Sequence, residues 1–390
     1  MSVHFGFLQK IYDMKLFDVY SQHDIAIVKG DGMYVWDDKG QKYLDMYGGH
    51  AVISIGHSHP TYVGRIANQV ATLGFYSNAV KLPGQQELAD KLGALSGHDD
   101  YQLFLCNSGA EANENAMKLA SFATGRSKIV AMRKAFHGRT SLAVSATDNP
   151  KIQAPVNKTE NVLFTPINDI EAMRELFAEQ GSDIAAVMVE KIQGVGGIIV
   201  AEDEFCRQVK GLCEEYGAMY IADEVQCGCG RTGSYYATDK SGVKADIYTM
   251  AKGIANGFPV GAIAIAPHIE AKKGMLGTTF GGNPLSCSAA IAVADVMASE
   301  ALVANAAKMG ELLMSELAKI DGVKELRGEG LMIGVEFEND CADIKRRLLA
   351  EHHIFVGSAG TTVVRLLPPL CIGEAQVEEF ITAFKSAIAG

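Results

Sequence analysis

Short, uniformly apolar runs alternate along this chain with longer stretches in which apolar residues recur every three or four positions. The runs YQLFLC, SKIVAM, ENVLF, DIAAVMVE, AMYIA, DIYTMA and VGAIAIA, all between residues 101 and 266, have the length and even apolarity of strands buried on both faces. Helical stretches at 169–180 and 203–216 separate three of them. That alternation predicts an α/β fold built on a largely parallel sheet.

The two ends of the chain read differently. IAIVKGDGMYVWDDKGQKYLDM, residues 25–46, alternates apolar with polar positions between the turns GDG and DDKG, which predicts a small antiparallel meander forming a module of its own. From about Leu326, the strands LMIGVEF and TVVRLL alternate with helices at 342–352 and 374–388, giving an α+β unit. The expected division is 1–55 as an N-terminal segment contributing to a small domain, 56–300 as the large domain, and 301–390 as the C-terminal small α+β domain.

Composition narrows the function classes. With 390 residues the chain exceeds what one core usually serves, and 48% hydrophobic with 21% charged residues is ordinary for a globular protein. No apolar run approaches the roughly 18 residues of a membrane span, so no membrane partner is expected. A net charge of −11 without a basic stripe argues against nucleic acid and for small-molecule partners. Eight scattered cysteines without a C-x-x-C, and an opening MSVHFGFLQK without a signal-peptide core, point to a cytoplasmic location. No metal is expected: Cys227 and Cys229 lack further ligands, and His50, His57 and His59 match no metal-ligand spacing.

Candidate chemistry gathers at strand ends. AMYIA runs into Asp223 and DIYTMA into Lys252, which delivers an acid and an amine to the edge of the sheet where ligands bind in doubly wound folds. A buried structural ion pair would place the same two residues there. Asn107-Ser108-Gly109-Ala110 joins a strand to a helix and turns free backbone N–H groups toward an anion, although Ser108 and Glu111 also fit a simple capping box. Phe136, His137 and Arg139 cluster after SKIVAM, Arg139 being either a surface charge or a carboxylate fork. Arg365, inside an apolar strand, requires a partner or a ligand. A partly desolvated lysine can condense with an aldehyde. Were the aldehyde that of pyridoxal phosphate, Asp223 would serve its ring nitrogen, Ser108, Gly109 and Ala110 its phosphate, and Phe136 its ring face.

GDGMYVWDDKGQKYLD, GHSHP, NSGAEANENAMKLA, FHGRT, DEVQCGCGRTG, AKGIANGFPVGA, TTFGGNP and VVRLLPPL occur in that order over nearly the whole chain. In these motifs the chain resembles the class III, or subgroup II, pyridoxal-phosphate aminotransferases of fold type I, and among them the acetylornithine and succinylornithine aminotransferases. The resemblance implies a mostly parallel seven-stranded sheet with helices on both faces and a small α+β domain made by both chain ends. It implies that Lys252 forms the Schiff base and carries the proton, that Asp223 pairs with the pyridine nitrogen, that Val225 lies against the ring, and that Gln226 approaches its phenolic oxygen. Phe136 would stack on the ring, and Ser108, Gly109 and Ala110 would hold the phosphate. Thr279 would complete that grip from the neighbouring subunit of a homodimer with its active sites at the interface. Arg139 would bind the carboxylate of an N-acetyl- or N-succinylornithine whose distal amine reacts, and Arg365 the α-carboxylate of glutamate or 2-oxoglutarate. The implied setting is arginine metabolism.

Two departures from the family pattern stand in EKIQGVGG, where the family usually reads EPIQGEGG: Lys191 replaces a proline and Val195 a glutamate. In relatives that glutamate screens the arginine matching Arg365, so Val195 favours a first substrate with a second acidic end. Ornithine or 4-aminobutyrate aminotransferases, or an aminomutase of the same fold, would share the cofactor site and differ in the pocket. A dinucleotide-dependent oxidoreductase is disfavoured, because no G-x-G-x-x-G opens a strand–helix–strand unit, and a non-catalytic scaffold would have no use for Lys252 and Asp223 together.

Overall fold

Seven strands form the central sheet of the computed structural model, which describes residues 15–390; the opening MSVHFGFLQK lies outside the described residues. Their order across the sheet is Gln102–Cys106, Gly261–Ile265, Ile247–Met250, Met219–Asp223, Ile184–Val189, Lys128–Met132 and Val162–Thr165. All pairings are parallel except those of Gly261–Ile265, which runs antiparallel to both neighbours. Every residue of the inner strand Ile184–Val189 is buried, as its unbroken apolar text requires of a strand covered on both faces.

Register brings the chemistry together. Asp223 sits beside Thr249 in the parallel pair, and Ala222 beside Val189, so Asp223 and Glu190 leave the sheet at the same edge and Lys252 follows two residues after Met250. Gly261 closes the far side: a Cβ there would come within 2.2 Å of the Ser108 carbonyl oxygen, so only glycine lets this strand lie under the turn at Ser108.

The predicted helices at 169–180 and 203–216 form as Ile170–Gln180, capped by Asp169, and Asp203–Tyr216. Pro284–Ser299 is buried along most of its length and packs against Pro60–Thr72 and Pro83–Ser96. It meets Leu302–Leu317 at a 64° bend, and among the described residues no single helix is long and apolar enough to cross a membrane.

The meander forms as Ile27–Asp31, Tyr34–Asp37 and Lys42–Asp45, but it is not a module of its own. Its last strand pairs in parallel with Ile354–Phe355, so both ends of the chain share one sheet. A second, antiparallel sheet orders Glu325–Glu329, Met332–Glu336, Val363–Leu366 and Gly357–Ala359, with Arg365 opposite Gly334 on one side and Gly357 on the other.

Candidate active site

A cavity of about 620 Å³ opens at the carboxyl edge of the central sheet, and Ser108, Gly109, Ala110, Phe136, Arg139, Asp223, Val225, Gln226, Lys252 and Arg365 all line it. Ten of the eleven residues named from the sequence as site candidates therefore face one space. The eleventh, Thr279, is exposed and outside it.

Asp223 forms the floor. Its Oδ2 accepts from Asn113 Nδ2 at 2.8 Å and from His137 Nδ1 at 2.7 Å, and its Oδ1 accepts from the Val225 amide at 3.0 Å. Burial alone would push this carboxyl up, yet the His137 hydrogen bond and charge, the Val225 amide and Lys252 hold it below the usual carboxylate range. Burial works the other way on His137, and Asp223 and Glu190 overcome it to raise the imidazole above its ordinary value. An ionised carboxylate is thereby fixed in a dry site.

Lys252 opens a one-turn 3₁₀ helix, Lys252–Ala255, with a left-handed φ of 47°. Desolvation lowers its amine below the ordinary lysine value; Asp223, Glu190 and Cys227 pull upward, and Arg365 reinforces the lowering. Asn256 pins this turn against the N-terminal segment: its Oδ1 accepts from the Ser54 and Ile55 amides at 2.8 and 3.1 Å, while Ser54 Oγ donates to the Gly253 carbonyl at 2.8 Å.

The anion cradle is the first turn of Gly109–Thr124. Ser108 caps it, its Oγ accepting from the Glu111 amide at 3.1 Å. The reciprocal half of a capping box is displaced by one residue, because the Glu111 carboxylate accepts from the Asn107 amide at 2.7 Å instead of from Ser108. The Ser108 hydroxyl keeps its own proton to donate, and the Gly109 and Ala110 amides precede the helix's internal ladder. A Cβ on Gly109 would stand 2.6 Å from Val225 Cγ1, so glycine is what lets the helix start against the cavity wall.

Glu190 accepts from the Phe136 amide at 2.9 Å and the Gly194 amide at 3.4 Å. Burial and the neighbouring Asp223 push its carboxyl up to about 7 against the pull of His137. Above it lie the two arginines. Arg139 is exposed at the cavity mouth. Arg365 is 5% exposed and, among the described residues, donates only to neutral oxygens, Gly194 O at 3.0 Å and Tyr47 Oη at 3.3 Å, while its Nε has no partner there. Tyr47 reaches it because a Cβ on Gly357 would fall 2.2 Å from the Tyr47 ring.

The two departures part company in space. Val195 lines the cavity and is 47% exposed, whereas Lys191 points away from it, its buried ammonium paired with Asp203 at 2.8 Å and bonded to the Ala201 carbonyl. His50 also lines the cavity, in a left-handed φ of 70°, its ring 4.7 Å from that of Tyr47. His57 and His59 turn elsewhere, to Asp45 and Glu300. Sequence reasoning gave no role to Asn113, Tyr47 or Asn256. Asn113 carries a readable signal, as a polar residue on the buried side of a helix; Tyr47 and Asn256 carry none, since each acts on a partner some two hundred residues away or more.

The residues fit pyridoxal phosphate on the chemistry of the donor set: an ionised, hydrogen-bonded carboxylate, a desolvated amine, a glycine cradle of unpaired amides, and a buried Gln226 Oε1 without a partner. Residues 18–388 match the family model of the class-III aminotransferases. An acetylornithine aminotransferase of Bacillus subtilis is 41% identical over 380 residues, covering 96% of this chain and 97% of its own. Another, from Methanosarcina acetivorans, is 40% identical over 375 residues, covering 94% and 93%. Among solved structures, the ornithine aminotransferase of Toxoplasma gondii superposes with a TM-score of 0.89 at 28% identity, covering 96% of this chain and 92% of that one. The acetylornithine aminotransferase of Elizabethkingia anophelis does so with a TM-score of 0.83 at 31% identity, covering 96% of each. Fold, cavity chemistry and these likenesses agree, and the chain belongs to the class-III aminotransferases, pyridoxal-phosphate-dependent enzymes of fold type I.

Proposed function

We propose that this enzyme moves the distal amino group of an N-acylated ornithine to 2-oxoglutarate, releasing the acylated semialdehyde and glutamate in two half-reactions at one site. The observation that carries the reading is one cavity holding a desolvated lysine and two separate guanidiniums, those of Arg139 and Arg365. Relatives named acetylornithine aminotransferases, matched along almost the whole chain, support the donor class.

When bound, pyridoxal phosphate supplies an aldehyde that receives the amino group and a ring that draws electrons from the bond being broken. Ser108 Oγ and the Gly109 and Ala110 amides hold its phosphate, Asp223 keeps a proton on its ring nitrogen, and Phe136, Val225 and Gln226 fix the ring. Lys252 Nζ, held below its ordinary pKa, takes the proton from the substrate carbon that bears the amine. Arg139 orients the acylornithine carboxylate. Arg365, with Tyr47 behind it, orients the α-carboxylate of 2-oxoglutarate. These contacts place the reacting carbon against Nζ and keep water from the amine.

The working unit in this reading is a homodimer. The helix Pro60–Thr72 has no buried residue, and Val63, Val70, Phe75, Tyr76 and Phe280 near it are 45–59% exposed, an apolar surface suited to a second copy. Thr279, beside Phe280, would reach the partner's phosphate cradle. Eight free cysteines, seven of them buried, support a cytoplasmic setting.

The test is a donor panel of acetylornithine, succinylornithine, ornithine and 4-aminobutyrate with 2-oxoglutarate as acceptor. Transfer from an acylated donor well above the other two is expected; a preference for unacylated ornithine or 4-aminobutyrate refutes the reading. Lys252→Ala, resupplied with cofactor, should lose the visible absorbance of the lysine-bound form.

A further inference from the structure

Among the described residues, no carboxylate is hydrogen-bonded or ion-paired to the guanidiniums of the cavity mouth. Arg365 is buried and donates to the Gly194 carbonyl and the Tyr47 hydroxyl, both neutral, with Nε unpaired. Arg139 is exposed at the opening and, among the described residues, has no ionic partner. The two carboxylates of the cavity are bonded elsewhere: Asp223 to His137, Asn113 and the Val225 amide, and Glu190 to the Phe136 and Gly194 amides, so that Glu190 acts on Arg365 only through its charge and not as a bonded partner.

Position 195, next to the Gly194 whose carbonyl Arg365 holds and in the lining of the same cavity, carries valine and so supplies no carboxylate. It does not drift. Gln193 Nε2 donates to the Arg133 carbonyl at 2.9 Å, Arg327 Nε donates to the Gly197 carbonyl at 2.8 Å, and Arg365 holds Gly194 between them. An apolar side chain thus occupies the position next to the carbonyl that Arg365 holds, in the same cavity.

A two-stage aminotransferase receives both of its substrates in one cavity. 2-Oxoglutarate carries two carboxylates, one for each guanidinium. A donor with a single carboxylate leaves one guanidinium covered but unpaired, and burying a charge without a partner opposes binding and turnover. We propose that the donor is itself a dicarboxylate: an ornithine whose α-amine bears a dicarboxylic acyl group of the succinyl type, selected over the acetyl compound because Val195 leaves Arg365 uncompensated. This rests on the acylornithine reading and names its acyl group. The terminal carboxylate of a flexible succinyl arm supplies the second anion that an acetyl group lacks.

The test measures kcat/KM for N-succinylornithine and N-acetylornithine on the holoenzyme, its Val195→Glu variant and its Val195→Gln variant. The wild type should favour the succinyl donor by about 10-fold or more, and Val195→Glu should lower that ratio by about as much. Val195→Gln separates charge from bulk, and its ratio should fall far less. Calorimetry supplies a second readout, in which wild-type holoenzyme binds glutarate more tightly than butyrate and Val195→Glu reduces that difference. An acetyl preference in the wild type, or equal ratios in the Glu and Gln variants, overturns the proposal and leaves the acylornithine reading standing. Turnover of unacylated ornithine alone overturns both.

Discussion

His137 Nδ1 donates to Asp223 Oδ2 at 2.7 Å, with the two side chains 0% and 3% exposed. The pair makes Asp223 an anion in a site dry enough to protonate it. His137→Phe should raise the Asp223 carboxyl, moving the acid limb of kcat/KM to higher pH, and His137→Asn, which keeps a donor, should move it less. Asp223 is lowered in the folded chain, so its stabilisation is present above the usual carboxylate pKa and is lost as pH falls through the folded value. His137 is raised, so its share is lost as pH rises through its own folded value. Breaking the pair should cost about 3–5 kcal/mol between those limits, read by denaturant unfolding. Superimposable pH–rate profiles would show that His137 does not set the ionisation of Asp223.

Glu190 offers a pH signature of opposite sign. Its carboxyl is pushed up to about 7 in the folded chain from an ordinary 4.5, so the wild type should lose stability progressively as pH rises across that interval. Glu190→Gln removes the charge being desolvated. In cofactor-free protein, the Tm of the variant relative to wild type should climb from about pH 4.5 to about pH 7 and level off above. Parallel Tm curves would place the Glu190 titration elsewhere.

Tyr47 and Gly357 together hold Arg365 for the acceptor. Tyr47→Phe removes one hydrogen bond to the guanidinium, worth about 0.5–1.5 kcal/mol, and should raise KM for 2-oxoglutarate roughly 2- to 12-fold, with a smaller change in kcat. Gly357→Ala should act in the same direction by displacing the ring that a Cβ would meet at 2.2 Å. Steady-state kinetics with 2-oxoglutarate varied checks both, and an unchanged KM in Tyr47→Phe would remove Tyr47 from acceptor binding.

These contacts show where the sequence was readable. The seven core strands could be read because burial on both faces leaves an unbroken apolar run, and the ends of two of them give Asp223 and Glu190. Ser108 could be read because a cap acts on residues three positions away. The His137–Asp223 bond spans 86 residues and the Arg365–Tyr47 bond 318, and no local period encodes either. The strands Ile354–Phe355 and Gly357–Ala359 were missed because two or three residues are too few to show alternation. Lys191 could not be assigned from its neighbours either, since the Asp203 that draws it out of the pocket lies on the next helix.

Thr279 is exposed and is not among the residues lining its own chain's cavity, whereas Ser108, Gly109 and Ala110 are. If two copies exchange this residue, defects in the two sets of residues complement. Thr279→Ala should weaken retention of pyridoxal phosphate, seen as a higher cofactor concentration for half-maximal activity. Lys252→Ala should be inactive with bound cofactor. In a hybrid of the two variants, one site combines Lys252→Ala from its own chain with Thr279→Ala from across the interface, and the other site has both native residues. Hybrids formed by unfolding and refolding the mixture, and purified with two different tags, should recover the cofactor affinity of one native site per dimer. A hybrid with the weak cofactor retention of Thr279→Ala would mean that Thr279 serves its own chain, and would sever the phosphate grip from the dimer interface.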